Sequence, residues 1–474
     1  MKFTLFFMIA VLLSFPVLEG CLKMGPDFHP PDTGIPVPDS YRHAGATKIA
    51  PHVDQWWHVF NNPELNQAVE KALINNLDIR KATARILEVQ SQFVRTRADR
   101  FPMLTFEGQA QRQSRPIIGI LPTGSFTVKT DTHTLSLPAS FELDLWGRLA
   151  RAEEAALADL LQAEENRRTI LQTIAAETAT LYLQMESLER RIRITEESIK
   201  NYQDSFALVE RRYERGITPI LDLKQAGRTL AQAETALPSL RQELGITQQK
   251  IAVLMGKYPE TRKARTQPED YFKLPAPIPP GLPSELLLNR PDIRVAEAGL
   301  RALNARIGVA KASRFPRITL TGNFGYSSEE LDMLFKPESE LWSVAAGIAQ
   351  PLFDAGKLKA GQKAAEARYE QGLSDYAKTV LTAFSEVETA LLTRKEQLER
   401  RDRVLNFLKE AQAVQNIAET RYNRGLTDYL TVLESQRTRF RAEEDLVTVD
   451  LAILANRVSL HRALGMGWGK DSDQ

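Results

Sequence analysis

Two copies of one pattern fill this chain, and each copy switches between two hydrophobic periods. The segment from Asp78-Ile79-Arg80 to Arg100-Phe101-Pro102 returns 214 positions later as Asp292-Ile293-Arg294 to Arg314-Phe315-Pro316. Arg212-Tyr213-Glu214-Arg215-Gly216-Ile217-Thr218 returns 209 positions later as Arg421-Tyr422-Asn423-Arg424-Gly425-Leu426-Thr427. The register loss of five falls between Gly108 and Gly147, where the first copy has the longer loop. A repeat this long is not a solenoid unit. It points to two structurally equivalent halves of one architecture.

The first copy contains Leu135, Leu137, Ala139, Phe141, Leu143 and Leu145 alternating with Ser136, Pro138, Ser140, Glu142 and Asp144. Such a period of two marks a strand with one apolar and one polar face. Leu104, Phe106, Gly108 and Ala110 alternate with polar residues in the same way. In the second copy the runs are Ile318, Leu320, Gly322, Phe324, Tyr326 and the weaker Trp342, Val344, Ala346, Ile348, Leu352. Each run has about the ~9–11 residues of a tilted transmembrane strand. The aromatic residues Phe101, Trp146, Phe315 and Phe353 bracket the runs on one side, as in the girdle of a membrane barrel. Two hairpins packed on a soluble core remain the alternative. Pro138 is a flaw on either reading, because it cannot donate to a ladder. Four strands cannot close a barrel, and lipid forbids an open sheet edge. Two chains would give eight strands with a side-chain-filled interior. Three would give twelve, with room for water, so a conducting lumen favours a homotrimer.

The other period is helical. Leu181, Met185, Leu188, Ile192, Thr195, Ile199, Tyr202, Phe206, Val209 and Tyr213 alternate spacings of four and three, which implies left-handed supercoiling. The same spacing recurs from Leu223 to Leu254, and less regularly from Val404 to Tyr422. No glycine or proline interrupts Arg148–Arg215, which predicts a helix ~100 Å long. Gly216 suits a left-handed cap, Thr218 an N-cap and Pro219 the first position of a returning helix. Gly425 and Thr427 repeat the turn, with Asp428 in the proline's place. Pro238 is expected to kink the returning helix or break its ladder locally. Helix starts are expected at Asn62-Pro63-Glu64 and Arg290-Pro291-Asp292.

Length and charge narrow the function. The 474 residues carry 61 basic and 60 acidic side chains, a balance that suggests no nucleic-acid partner. Past the start, no stretch approaches the ~18–20 apolar residues of a membrane helix. Phe3–Leu18 behind Lys2 reads as a secretory signal, ending in Leu18-Glu19-Gly20-Cys21. This resembles a bacterial lipobox, with the single cysteine, Cys21, as the acylated residue; an ordinary cleavage site beside a free thiol is the alternative. A lone cysteine excludes an intramolecular disulfide. The histidines His29, His43, His52, His58, His133 and His461 have no metal-ligand spacing. There is no P-loop, dinucleotide fingerprint or nucleophile elbow. Neither an enzyme nor a metal or other cofactor is expected.

Several motifs in order carry a family resemblance: Cys21…Gly25-Pro26-Asp27-Phe28…Pro30; Trp56-Trp57…Phe60…Pro63-Glu64-Leu65; Leu282-Pro283-Ser284-Glu285-Leu286-Leu287…Arg290-Pro291-Asp292-Ile293-Arg294; Phe315-Pro316; Pro351-Leu352-Phe353-Asp354-Ala355-Gly356-Lys357; and the two Arg-Tyr-x-x-Gly turns. Together they resemble the TolC-type outer-membrane efflux factors, specifically the NodT/OprM-like lipoprotein branch. The resemblance implies a mixed, mostly α channel-tunnel. In it, long coiled-coil helical hairpins and four transmembrane strands per chain trimerise into a twelve-stranded barrel and a twelve-helix periplasmic cylinder. It implies residence in the bacterial outer membrane with a lipid anchor at Cys21. It further implies partnership with a periplasmic adaptor and an inner-membrane transporter, as the passive exit duct of a tripartite pump. Leu430 and Glu434, with Leu221 and Asp222 of the first copy, match the aperture of the pinched helical tip. Tyr213, Arg215, Gly216, Tyr422, Arg424 and Gly425 match the adaptor-docking tip, where Asp222 could pair with one of these arginines. For Glu434 a plain solvated coiled-coil acid is the alternative.

The expected organisation is a signal at 1–20, a lipidated extended segment at 21–62, repeat one at 63–256, a proline-rich linker at 257–288, repeat two at 289–465 and a tail at 466–474. Within the repeats, β-hairpins are expected near 103–145 and 317–353. A structural coiled-coil envelope lipoprotein is the rival of a different class. Exit ducts for secreted protein or for copper and silver ions are the closer rivals. The eight methionines are dispersed rather than clustered, which favours drug-like small molecules over a soft metal.

Overall fold

The structure is a computed structural model describing residues 23–30, 37–38, 40–42, 55–117, 126–260, 272–274, 276, 278 and 283–466. The signal segment, Cys21 and the C-terminal tail lie outside the described residues. The helices are α1 (Pro63–Asn75), α2 (Leu77–Ala98), α3 (Arg148–Glu214), α4 (Ile220–Leu254), α5 (Pro283–Asn289), α6 (Pro291–Ala312), α7 (Lys357–Asn423) and α8 (Tyr429–Ala463). The strands are β1 (Met103–Leu104), β2 (Glu107–Ile117), β3 (Phe126–Leu143), β4 (Arg317–Ser328) and β5 (Glu340–Ala349). The duplication is preserved in the element bounds. Helices α2 and α6 each have 22 residues, α3 and α7 each 67, and α4 and α8 each 35.

The chain divides into two compact units, each drawing on both copies. The first comprises residues 1–33, 86–163 and 295–376 and holds the sheet. All its pairings are antiparallel, in the order β1/β2, β3, β4, β5. Register sorts the side chains by face, since alternate residues point opposite ways. Phe106, Leu137, Phe324 and Trp342 share one face with Leu104, Ala139, Val344, Leu143, Ile318 and Ile348. The other face carries Ser140 and Thr321, Glu142 and Thr319, and Asn323 and Ser343. Leu352 lies beyond β5 and is exposed, so the fourth strand is shorter than its hydrophobic run suggests.

Pro138 leaves a visible mark. β1 and β2 keep one register against β3, yet the ladder lapses at Thr105 and Phe106. Thr105 N donates to Pro138 O at 3.0 Å, and the reciprocal bond is missing because proline has no N–H. On its other side β3 pairs with β4 without a break.

The second unit comprises residues 34–85, 164–294 and 377–474 and is packed helix on helix. The heptad positions Met185, Leu188, Ile192, Leu240, Leu244 and Ile251 join Trp56, Trp57, Leu65 and Val69 in one buried cluster. Tyr202, Val209 and Ala226 join Ala418, Tyr422, Tyr429, Leu433 and Phe440 in another. The anticipated starts of α1 and α6 hold, and Asn62 Oδ1 accepts from the N–H of Glu64 and of Leu65 at 3.1 Å each. Helix α4 continues through Pro238 rather than ending there. Two cap assignments are corrected. Pro219 and Asp428 are the N-caps, one residue later than Thr218 and Thr427, and α4 begins at Ile220. The Asp428 carboxylate is the physical reason in the second copy, for it accepts from Thr431 N at 2.9 Å and Thr431 Oγ1 at 2.6 Å.

Candidate functional site

Both helical hairpins turn through the same device. At Gly216 (φ 72°) the N–H donates to Tyr213 O and that of Ile217 to Arg212 O, and at Gly425 (φ 72°) the N–H donates to Tyr422 O and that of Leu426 to Arg421 O. These reverse-turn bonds satisfy the last helical carbonyls and need a left-handed residue, which glycine supplies without strain. A Cβ at either glycine would meet no atom within 4 Å, so φ rather than space selects glycine there.

The side chains around the two turns are not equivalent. Tyr422 is 6% exposed inside the tip core, whereas its counterpart Tyr213 is 38% exposed. Arg212 donates to Tyr422 O (3.3 Å) and Asn423 O (3.4 Å), and its guanidinium lies 4.4 Å from the Tyr422 ring centre. The counterpart Arg421 donates to Leu426 O in its own turn. Tyr422 and Tyr429 rings stand 5.7 Å apart, and Tyr202 meets Phe440 edge-on at 5.5 Å. Burial pushes the Tyr202 hydroxyl up to about 12 and raises Tyr429 as well, so both stay neutral. Both Arg212 and Arg421 open the repeated Arg-Tyr-x-x-Gly turn, and nothing local in the sequence distinguishes their roles.

The remaining tip residues are exposed. Arg215, Arg424, Leu221 and Leu430 face solvent in the single chain, as do Ile217 and Leu426 at the turns. Glu434 makes an ion pair with Arg437 one turn on, at 3.0 Å. Among the described residues Asp222 makes no ion pair with an arginine. Burial and the charge of Asp428 instead raise the Asp222 pKa, while the Thr431 hydroxyl and N–H hold Asp428 low.

At the sheet, Trp146 and Phe315 stack at 4.9 Å, and Trp146 Nε1 donates to Pro316 O at 2.8 Å. Phe101 and Phe353 are exposed and touch neither of them in a ring contact among the described residues. On the polar face, Arg148 donates to both Glu142 oxygens at 2.8 Å and Arg317 to Oε2 at 2.6 Å. Among the described residues no helix is long and apolar enough to cross a membrane, and no three His, Cys, Asp or Glu side chains group to hold a metal.

The profile of the family described as outer membrane efflux protein matches residues 68–257 and again 282–466, one match per copy. This chain belongs to that family, and it has the mixed, mostly helical channel-tunnel fold. It is 34% identical over 477 residues to the solvent efflux pump outer membrane protein SrpC of Pseudomonas putida, covering 99% of each chain. It is 32% identical over 453 residues to the cation efflux system protein CusC of Escherichia coli O6:H1, covering 95% of this chain and 96% of that one. Among solved structures, the outer-membrane channel OprN superimposes with a TM-score of 0.88 at 29% identity, over 94% of this chain and 99% of that one.

Proposed function

We propose that three copies of this chain close a barrel and a helical cylinder into the passive exit duct of a tripartite efflux pump. The observation that carries this reading is the incomplete sheet. Among the described residues neither the outer edge of β1/β2 nor that of β5 is paired, while Leu104, Phe106, Phe324, Trp342, Val344 and Ile348 stand exposed on a single face. In lipid an unpaired edge costs several kcal/mol per backbone group, so other copies must complete the wall. The polar face with its Glu142–Arg148–Arg317 cluster then lines the lumen.

In this reading Cys21 carries an acyl anchor and Trp146, Phe315, Phe101 and Phe353 form the periplasmic-side girdle. The exposed Arg215, Arg424, Ile217 and Leu426 around Gly216 and Gly425 dock the adaptor, with Tyr213 beside them and Tyr422 holding the frame beneath. Leu221, Asp222, Leu430 and Glu434 surround the aperture, where threefold symmetry makes each a ring. The duct performs no chemistry; an inner-membrane transporter supplies the energy. The dispersed methionines favour toxic organic molecules as cargo over a soft metal ion.

Planar-bilayer recording of the purified protein tests the reading. Discrete conductance steps from a species that cross-links as three subunits are expected. A folded, detergent-solubilised monomer that gives no conductance would overturn it.

A further inference from the structure

On the reading that the apolar sheet face meets lipid, we propose that the β4–β5 connection is itself seated in the membrane. Its Phe335 joins Phe324, Tyr326 and Trp342 as a second aromatic belt, with Leu331 beside it, at the end of the sheet away from Trp146 and Phe315. The partner is the lipid headgroup–acyl boundary of the distal leaflet.

The position of that boundary follows from β3. From Leu143 back to Leu135 the strand alternates apolar and polar residues; from Thr134 back to Thr127 it reads Thr134, His133, Thr132, Asp131, Thr130, Lys129, Val128, Thr127. Apart from Ala110 opposite His133, the partner residues Gln109, Gln111, Arg112 and Gln113 are equally polar, and Arg112 pairs with Asp131 at 3.1 Å. A hairpin polar on both faces belongs in water, so lipid ends near the row of Leu135 and Tyr326. From Ile318 to Tyr326 is eight residues, ~27 Å along the strand. Tilted by 35–45°, this spans ~20 Å, close to the ~25 Å apolar band of outer-membrane barrels.

The connection lies over the lipid-facing side at that level. Tyr326 shares a face with Phe324 and Trp342 by register. The rings form a chain, Phe324 to Tyr326 at 6.1 Å and Tyr326 to Phe335 at 5.8 Å. Because Phe335 rests on Tyr326, the connection folds over the apolar face and away from the polar one. It is also built, not loose. Leu334 N bonds Leu331 O, Lys336 N bonds Met333 O, Ser339 N bonds Lys336 O, and Ser339 Oγ donates to Met333 O at 2.9 Å. Leu334 is buried, yet Phe335 is 72% exposed and Leu331 almost as open. An ordered turn that holds two large apolar side chains outward, with the exposed acids Glu329, Glu330, Asp332 and Glu338 next to them in sequence, matches an interface with water on one side and hydrocarbon on the other.

The test uses the full-length protein in phosphatidylcholine vesicles, with nitroxide labels on Phe335→Cys, Leu331→Cys, Val344→Cys and Lys129→Cys, and the unsubstituted protein as blank for Cys21. Relaxation by oxygen relative to a water-soluble nickel chelate reports lipid exposure. With interfacial side chains ~5–10 Å into the boundary, the ratio at 335 and 331 should exceed that at 129 by about twofold or more and lie below that at 344. Ratios at 335 and 331 equal to that at 129, with 344 in lipid, overturn this inference alone. A water-like ratio at 344 as well overturns the lipid-facing sheet beneath it.

Discussion

Arg212 caps the helix of Tyr422: the cation of one copy covers the ring and donates to the terminal carbonyls of the other copy's helix. A positive charge at a helix C-terminus and over an aromatic face is favourable twice, by ~0.5–1 kcal/mol each at a partly exposed site. Arg212→Ala should therefore loosen the second turn by about 1–2 kcal/mol, with Arg212→Lys intermediate because a point charge cannot reach two carbonyls. Hydrogen exchange at Gly425 and Leu426 checks this. Acceleration of about tenfold is expected, since 1.4 kcal/mol is a factor of ten in opening. Unchanged exchange in Arg212→Ala would show that the clasp contributes nothing.

Asp222 and Asp428 make the pH response of the tip two-sided. Asp428 is held below its ordinary value of 3.8 by the Thr431 donors, so its stabilising contribution is fully present above 3.8 and is lost as pH falls from there through the lowered value. Asp222 behaves oppositely. It stands in the first turn of α4, where the helix dipole favours a carboxylate, yet burial and Asp428 outweigh this and raise its pKa. Its charged form destabilises the tip at neutral pH, and the cost disappears as pH falls through the raised value. Asp222→Asn should consequently melt above the parent protein at pH 7. That gap should close on acidification, while Asp428→Asn, which keeps a capping oxygen, should melt close to the parent. A gap that widens on acidification would contradict the assignment.

Much of this was legible because the two periods impose different burial. The 3.5 spacing from Leu181 to Val209 marks positions that pack in the second unit, although its last member, Tyr213, stays exposed, and the alternation around Leu137 marks a face that register then assembles across the sheet. The repeated Gly216 and Gly425 turns were likewise readable, since few other residues tolerate φ near 72°. What stayed hidden depends on contacts between distant segments. Nothing local in Arg-Tyr-x-x-Gly says that Tyr422 goes inside and Tyr213 outside, because Arg212 selects between them across some two hundred residues. The cap at Asp428 is ambiguous by one residue from sequence, as both Thr427 and Asp428 are capping types and only the Thr431 bonds decide.

A buried arginine fastens the N-terminal segment within the first unit. Arg151 is 2% exposed in its side chain and donates to Met24 O at 3.1 Å, Asp27 Oδ1 at 2.7 Å and Glu154 Oε2 at 2.8 Å. Asn304 Nδ2 holds Pro26 O at 2.9 Å, and Gly25 packs so closely that a Cβ there would stand 2.6 Å from Gly308 Cα. Arg151→Ala strands these acceptors and leaves a void, for an expected loss of ~2–4 kcal/mol. Gly25→Val adds strain at φ 93° and should release the same segment while leaving the arginine in place. Limited proteolysis between residues 23 and 30 reads both variants; cleavage no faster than in the parent protein would argue against the clasp.

Pro138 offers a change of the opposite sign. Its carbonyl accepts from Thr105, but its nitrogen cannot return the bond, and β1 separates from β2 at that point. The residue is extended and already paired with Asn323 on its other side, so a side chain compatible with a strand fits the backbone. Pro138→Thr restores the missing donor opposite Thr105 O and keeps a polar residue on the polar face. A net gain of ~0.5–1.5 kcal/mol is expected for one ladder bond. The gain should appear as a higher temperature for conversion of the folded band on semi-native gels and as slower exchange at Glu107, where β2 begins. Since Thr105 and Phe106 lie on an edge of the single chain, the effect should be larger if that edge is paired in an assembled wall, because a frayed edge would then weaken two ladders rather than one. A lower conversion temperature for Pro138→Thr would mean that the break itself is needed, for the bend it gives the strand.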